Sequence, residues 1–334
     1  MEAPASLPKL ATQAQPLTFA TPYVLAPMEG VTHRVFRDLI ISLGGVGAAW
    51  TEFLRVSSAP LSTKVILREL GPQPVSCPVG VQLMGNNAEL MAETARHAML
   101  AGAPTVDINF GCPAPVVFRH CAGSALLKDP ENVGRLVHTI ASAVNIPVTA
   151  KIRLGVDDAS RLRDIVQAIE GAGAARLTVH ARTKADGYTH PARWEWLTKV
   201  VAWTRLPVTG NGDVITPADA RRMRRETGVD AVMIGRGVLR DPWIFARLRA
   251  EDRGDTSPLV GTQEIRAFHG AYRDAIIADG GAGGVVGQLK QWWRRFDVGI
   301  TMTDAERNSV LRAPDLAALD AAVESIMTRA ESVA

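Results

Sequence analysis

Eight short apolar runs in this chain each end on residues whose types could do chemistry. In chain order the ends are Pro27-Met28-Glu29, Glu52, Gln82, Asn109 with Cys112, Lys151 with Arg153, His180 with Arg182, Asn211-Gly212-Asp213 and Gly235-Arg236-Gly237. Cys112 sits in Asn-Phe-Gly-Cys-Pro, a loop held by Gly and Pro, where a thiol can act as nucleophile or proton donor. A buried inert cysteine is the ordinary alternative there, and it is the expected reading of Cys77 and Cys121. Lys151, in Thr-Ala-Lys-Ile-Arg, is expensive inside a fold unless charge lies nearby. It could form a Schiff base, neutralise the anionic edge of a reduced flavin, or make a structural ion pair. Gly210-Asn211-Gly212-Asp213 and Gly235-Arg236-Gly237 let backbone N–H groups approach an anion, so a phosphate site is expected rather than two tight turns.

Such residues need elements to position them. The runs are Tyr23–Ala26, Val46–Thr51, Val79–Leu83, Val106–Asn109, Val148–Ile152, Arg176–His180, Val208–Gly210 and Ala231–Ile234, starting 23 to 42 residues apart. That spacing is one βα unit. Amphipathic stretches fall between them at Arg34–Leu43, Glu89–Ala101, Glu131–Val144, Ala159–Gly171 and Pro217–Thr227, with Ser57–Gly71 the weakest. Thr216-Pro217 reads as a helix start, and Ala-Gly-Ala at 101–103 and 172–174 as helix ends. Eight such units predict an α/β fold, a (β/α)8 TIM barrel, whose site gathers at the carboxyl ends of the strands and whose phosphate site follows strands seven and eight. An open doubly wound sheet is disfavoured, because no glycine-rich dinucleotide turn follows the first run. After about Ser257 the strands stop. Helical periods at Thr262–Ala278, Val285–Val298, Thr303–Arg312 and Leu316–Glu331 predict a small helical bundle. The expected division is a lead-in over 1–20, a barrel over 21–256 and a helical domain over 257–334.

With 334 residues, 47% of them apolar, the chain can bury a large core, which excludes a disordered or collagen-like protein. A net charge of +3 excludes a histone-like polycation but not a local basic patch. Three cysteines make no disulfide framework and suggest a reducing compartment. No metal-site spacing, signal peptide or membrane span is read from the sequence, so a cytoplasmic protein without a metal is expected.

Several strings together resemble the tRNA-dihydrouridine synthase family. They are Ala26-Pro27-Met28-Glu29-Gly30-Val31-Thr32, Asp107-Ile108-Asn109-Phe110-Gly111-Cys112-Pro113, Ala122-Gly123-Ser124-Ala125-Leu126-Leu127, Lys151-Ile152-Arg153, His180-Ala181-Arg182-Thr183, Gly210-Asn211-Gly212-Asp213 and Gly235-Arg236-Gly237, in family order over about residues 22–330. Thr51-Glu52-Phe53-Leu54-Arg55-Val56 and Lys290-Gln291-Trp292 look most like the branch acting at tRNA position 16. The resemblance implies an FMN enzyme that uses NADPH to reduce the C5=C6 bond of a specific D-loop uridine in tRNA, with hydride passing from flavin N5 to C6. It implies that Pro27, Met28, Glu29, Gln82, Lys151, His180, Arg182, Asn211, Gly212, Asp213, Gly235 and Arg236 hold the flavin. It further implies that Asn109 and Arg153 contact the target base and that Cys112 protonates C5 as the general acid, while Glu52 at the barrel mouth is expected to help bind the substrate. That last role needs a neutral thiol. The chain departs from the family at Pro115, where lysine is common; Arg119 and His120 are candidates to supply that charge. The stretch Tyr188–Trp196 varies in this branch, so Arg193 has no assigned role, and His190 is expected to be solvated or structural.

A tRNA partner needs a local field. From Ser257 onward 8 Lys/Arg face 10 Asp/Glu, a net of −2, so the positive charge must be arranged on one face. Lys290, Arg294 and Arg295 share a helix face beside Trp292 and Trp293, and are expected to contact tRNA phosphates while the tryptophans stack on bases. The alternative is a solvated face with two core tryptophans. Competing functions are an FMN barrel acting on a free pyrimidine in the manner of dihydroorotate dehydrogenase, a Schiff-base aldolase, and a non-catalytic tRNA-binding relative. The helical tail argues against the first, and flavin colour and NADPH oxidation separate the others. A monomer is slightly favoured.

Overall fold

A computed structural model describes residues 17–74, 76–114, 122–280 and 283–333. Pro115, Arg119, His120 and Cys121, and most of the lead-in, lie outside these residues. The strands are β1 (Tyr23–Leu25), β2 (Ala49–Trp50), β3 (Leu54–Arg55), β4 (Val79–Met84), β5 (Val106–Phe110), β6 (Val148–Arg153), β7 (Arg176–His180), β8 (Val208–Asn211) and β9 (Ala231–Ile234). All pair in parallel in the order β1-β9-β8-β7-β6-β5-β4-β2. Parallel strands need both faces covered, and their apolar, β-branched runs supply this: β4 and β5 are buried along their whole length. The seam between the first and last strands of that order closes through a parallel bridge from Val24 to Ala48, with Leu25 N–H donating to Ala48 O (2.9 Å) and Gly47 N–H to Tyr23 O (2.7 Å).

The second expected strand is interrupted. β2 aligns Trp50 with Gly80 and β3 aligns Leu54 with Leu83, so this side advances four residues while β4 advances three. The extra residue makes a bulge, a device that re-aims side chains. It brings Phe53 to the barrel mouth.

Helices wrap the outside at Arg34–Ser42, Thr63–Leu70, Ala88–Leu100, Pro130–Ala141, Leu162–Gly171 and Pro217–Thr227. The Pro217 helix starts as its sequence demands, with Thr216 accepting from Asp219 N–H, Asp219 capping in return, and proline in its first turn. Gly102 (φ +84°) and Gly173 (φ +92°) take the left-handed backbone that ends the preceding helices. Further helices at Glu195–Trp203, Gly237–Arg240 and Ile244–Arg253, and a 3-10 turn at Gly123–Lys128, were not anticipated.

Four helices follow: Thr262–Ala278, Val285–Trp293, Asp304–Arg312 and Leu316–Val333. Trp292 and Trp293 are each 1% exposed and pack with Phe268 and Phe296. The expectation that they stack on bases is therefore corrected: they are the core of this bundle, and a buried indole offers no face to a ligand. Phe36 against Tyr272 and Trp243 against Phe268 join the bundle to the barrel in one continuous apolar core. Among the described residues no helix is long and apolar enough to cross a membrane.

Candidate active site

A cavity of about 690 Å3 opens at the carboxyl ends of the strands, between the barrel and the bundle. Asn109, Cys112 and Arg153 line it from the barrel, Glu29 from the turn after β1, and Arg294 and Arg295 from the bundle. A smaller pocket of about 80 Å3 lies beside it, lined by Asn211, Gly212, Asp213 and Gly235 at the ends of β8 and β9. Pro27, Met28, Lys151, His180 and Arg236 border both. Four expected site residues line neither: Glu52, Gln82, Arg182 and Lys290.

Each of the four has another partner. Glu52 Oε1 accepts from Val31 N–H (3.0 Å), which holds the turn carrying Met28 and Glu29. Gln82 is fully buried under the floor, where its Oε1 accepts from Asn109 Nδ2 (2.8 Å) and its Nε2 donates to Asp107 (2.6 Å). Arg182 donates to both carboxylate oxygens of Asp213 (2.7 Å each). Lys290 turns away from Arg294 and Arg295, its Nζ donating to Ala313 O at 2.5 Å. Its expected place in a three-residue basic patch is corrected accordingly, because an ammonium that reaches a helix-end carbonyl is held off the cavity.

The cysteine loop is fixed from below. Asn109 Oδ1 accepts from the N–H groups of Gly111 and Cys112 (2.9 Å each), and Cys112 O accepts from Ser124 Oγ (2.8 Å). Arg153 Nε donates to Gly111 O (2.8 Å) and its Nη1 to Thr183 O (2.9 Å), tying this loop to the one after β7. Burial pushes the Cys112 thiol above its usual range, aided by the negative charge of Glu29, so it is neutral at physiological pH.

Lys151 stands on the same floor. Among the described residues its ammonium has no hydrogen bond or ion pair, and burial with the nearby charge of Arg153 lowers it to about 8, against the pull of Asp107. His180 is held well below its ordinary value by burial and by Lys151, Arg153, Arg182 and Arg236, which leaves a neutral ring. Asp213 is a hub: besides Arg182 it accepts from Ala192 N–H (2.7 Å) and Arg236 (3.1 Å), at a left-handed φ of +54°. Burial opposes its charge, but these donors win and hold its carboxyl below the usual range. The His190 ring is exposed, and it is the His190 carbonyl that takes part, accepting from Arg182 Nε at 2.5 Å.

Tyr188 was missed by sequence reasoning. The residue is 56% exposed and borders both pockets, with the guanidiniums of Arg236 and Arg153 at 4.8 and 5.4 Å from its ring centroid. An exposed ring between two buried or half-buried cations offers an apolar surface to a planar ligand.

A parallel (β/α)8 barrel with a lysine unpaired among the described residues, a buried thiol and glycine loops after its last two strands defines a barrel enzyme of the cofactor-binding kind. The family profile described as "Dihydrouridine synthase (Dus)" matches residues 24–274, and the chain belongs to this family. It is 43% identical over 282 residues to a protein of Shewanella oneidensis named tRNA-dihydrouridine(16) synthase, covering 81% of this chain and 87% of that one. It is 42% identical over 248 residues to one of the same name from Cupriavidus necator, covering 71% and 77%. Among solved structures it is similar to histamine dehydrogenase from Rhizobium sp. 4-9, with TM-score 0.58 and 13% identity over 84% of this chain. It is also similar to 6-hydroxypseudooxynicotine amine oxidase from Pseudomonas geniculata N1, with TM-score 0.57 and 14% identity over 72%. This chain spans about half the length of each of those two, and the likeness is one of fold.

The chain is therefore a flavin-dependent oxidoreductase of the dihydrouridine synthase family. The residues fit a flavin. The unpartnered ammonium of Lys151 suits the electron-rich pyrimidine edge of a reduced ring. At Gly235 an added Cβ would come within 3.3 Å of Met28 Sδ, so a side chain there would press into the pocket that a phosphate or ring must enter.

Proposed function

We propose that this chain reduces the C5=C6 bond of a uridine in the D-loop of tRNA, at position 16, using FMN and NADPH in the cytoplasm. The observation that carries the reading is the buried Cys112 thiol sharing one cavity with Lys151, unpaired among the described residues, and with two exposed arginines of the bundle. The relatives named for position 16 support the site. Lys151, Asn211 and the glycine loops would hold FMN, which would supply the hydride needed at C6. Cys112 donates its proton to C5, where negative charge collects, and the resulting thiolate regains a proton from solvent. Lys151 balances negative charge at the floor. Arg153 holds the cysteine loop, and Tyr188 supplies the apolar wall. The target uridine must leave its stack, at a cost of a few kcal/mol. Residues 21–256 form the catalytic domain and 257–334 a tRNA-binding domain, with Arg294 and Arg295 on the phosphate backbone.

The test is to incubate the protein with unmodified tRNA and NADPH, or NADH, and map dihydrouridine. The expected product is dihydrouridine at position 16, faster with NADPH. Cys112→Ala should slow a single turnover by roughly 10²–10⁴ with tRNA binding retained. Full activity in that variant excludes the thiol as the acid.

A further inference from the structure

Asp107 lies beneath the cavity floor and lines neither pocket, yet it stands at the root of a chain of hydrogen bonds that ends on the cysteine loop. Thr149 Oγ1 donates to its Oδ1 (2.5 Å) and Gln82 Nε2 to its Oδ2 (2.6 Å). Gln82 Oε1 accepts from Asn109 Nδ2 (2.8 Å), and Asn109 Oδ1 accepts from Gly111 and Cys112 N–H. The two ends of this chain are chemically unambiguous. A carboxylate accepts and a backbone N–H donates, so each amide between them has a single orientation that satisfies both neighbours. Asp107, Gln82 and Asn109 are 2%, 0% and 9% exposed, so water is a poor substitute for any absent partner.

We propose that Asp107 is a positioning residue for the reduction: by fixing the Gln82 amide it fixes Asn109, and through Asn109 it holds the Cys112 thiol where it delivers its proton. Asp107 lines neither pocket, and it reaches the thiol through this chain. Burial raises its carboxyl to about 6, against the pull of Thr149, Gln82 and Lys151, which leaves it the acceptor the chain needs at neutral pH. An Asn at this position keeps the order intact, since its Oδ1 can accept from Gln82 while its Nδ2 donates to the Thr149 hydroxyl. A Leu removes the acceptor, and Gln82 must turn its buried amide to find another.

This rests on the proposed reduction and is tested by a double-mutant cycle on single-turnover dihydrouridine formation. Asp107→Leu is expected to lower the rate by 10-fold or more with the Kd for tRNA unchanged within 3-fold, and Asp107→Asn to stay within 3-fold of wild type. In the Cys112→Ala background, Asp107→Leu should cause no further loss, because no thiol is left to misplace. Released from Asn109, the Cys112 thiol should also be alkylated by iodoacetamide at least 5-fold faster in the flavin-free protein, read by peptide mass spectrometry. If Asp107→Leu does not fold, Asp107→Ser, whose short side chain falls short of Gln82, carries the same cycle. An equal rate loss with and without Cys112, or an unchanged alkylation rate, overturns the proposal. A wild-type protein that makes no dihydrouridine instead overturns the proposed function and leaves the alkylation comparison standing.

Discussion

Lys151 is charged below about pH 8 in the folded chain and below about 10.5 when unfolded, and no described residue bonds it. Between those values the unfolded chain holds the extra proton, so stability rises with pH there, and the cost of the buried charge is largest below pH 8. A shift of this size corresponds to about 3 kcal/mol. Lys151→Met should therefore stabilise the flavin-free protein by about 2–3 kcal/mol at pH 7 in urea unfolding, with wild type and variant converging as pH rises from 8 to 10.5. The same variant should weaken flavin binding, which is the pattern expected where a residue is kept for function at the expense of stability. Lys151 and Cys112 were legible in the sequence because residue type and short motif carry their chemistry. Tyr188 was not: its loop has no periodicity, and the contacts beside it come from Arg153, which reaches the Gly187 carbonyl and lies against the ring. Lys290 was misread for a related reason, since spacing along one helix fixes a Cα position but says nothing of a carbonyl arriving from Ala313.

At the scale of elements, the turn after β8 is what shapes the smaller pocket. Asp213 joins three chain segments there, taking Arg182 from beyond β7, Ala192 N–H from the following loop and Arg236 from beyond β9. Asp213→Asn isolates the charge, because asparagine tolerates the left-handed backbone that this position adopts. The Arg182 side chain is 3% exposed, so losing its carboxylate should destabilise the protein by about 2–3 kcal/mol near pH 7. The carboxyl is held below its ordinary value, so this contribution is present above about pH 4 and lost as pH falls through the depressed value. Urea unfolding of both proteins should accordingly show a gap that closes on acidification. The eight strand positions were readable because buried parallel strands are apolar runs. The break between β2 and β3 was not, since a bulge depends on register with β4 and leaves no period in the sequence. The helix Glu195–Trp203 also escaped: it begins at Trp194 without a side-chain cap, and Trp194 is itself held by its indole N–H on Gly212 O.

For the whole molecule, a net charge of +3 and a tail of −2 say little about a polyanionic substrate until the charges are placed. Most tail cations are spent inside the bundle: Arg266 pairs with Glu324 and Glu331, Arg273 with Asp320, and Arg329 with Glu306. Arg307 donates to the carbonyls of Trp293 and Phe296, and Lys290 to that of Ala313. Arg294 and Arg295 are exposed, carry no ion pair among the described residues, and border both the main cavity and a second hollow of about 510 Å3 that reaches Arg236 and Arg240. The bundle core of Trp292, Trp293 and Phe296 fixes where that pair points, which is how an acidic module can present positive charge to RNA. Each phosphate that a side chain neutralises adds about 0.7–0.9 to the steepness of log K against log salt. Arg294→Gln with Arg295→Gln should thus lower the slope for tRNA binding by about 1.4–1.8, with the single-turnover rate at saturating tRNA within a few-fold of wild type. Lys290→Gln should leave the slope unchanged, because its ammonium is already committed to Ala313. Fluorescence titrations of tRNA from about 50 to 300 mM salt measure all three slopes. An unchanged slope in the double variant would remove the pair from the interface, and a reduced slope for Lys290→Gln would mean that this ammonium leaves its carbonyl when RNA binds.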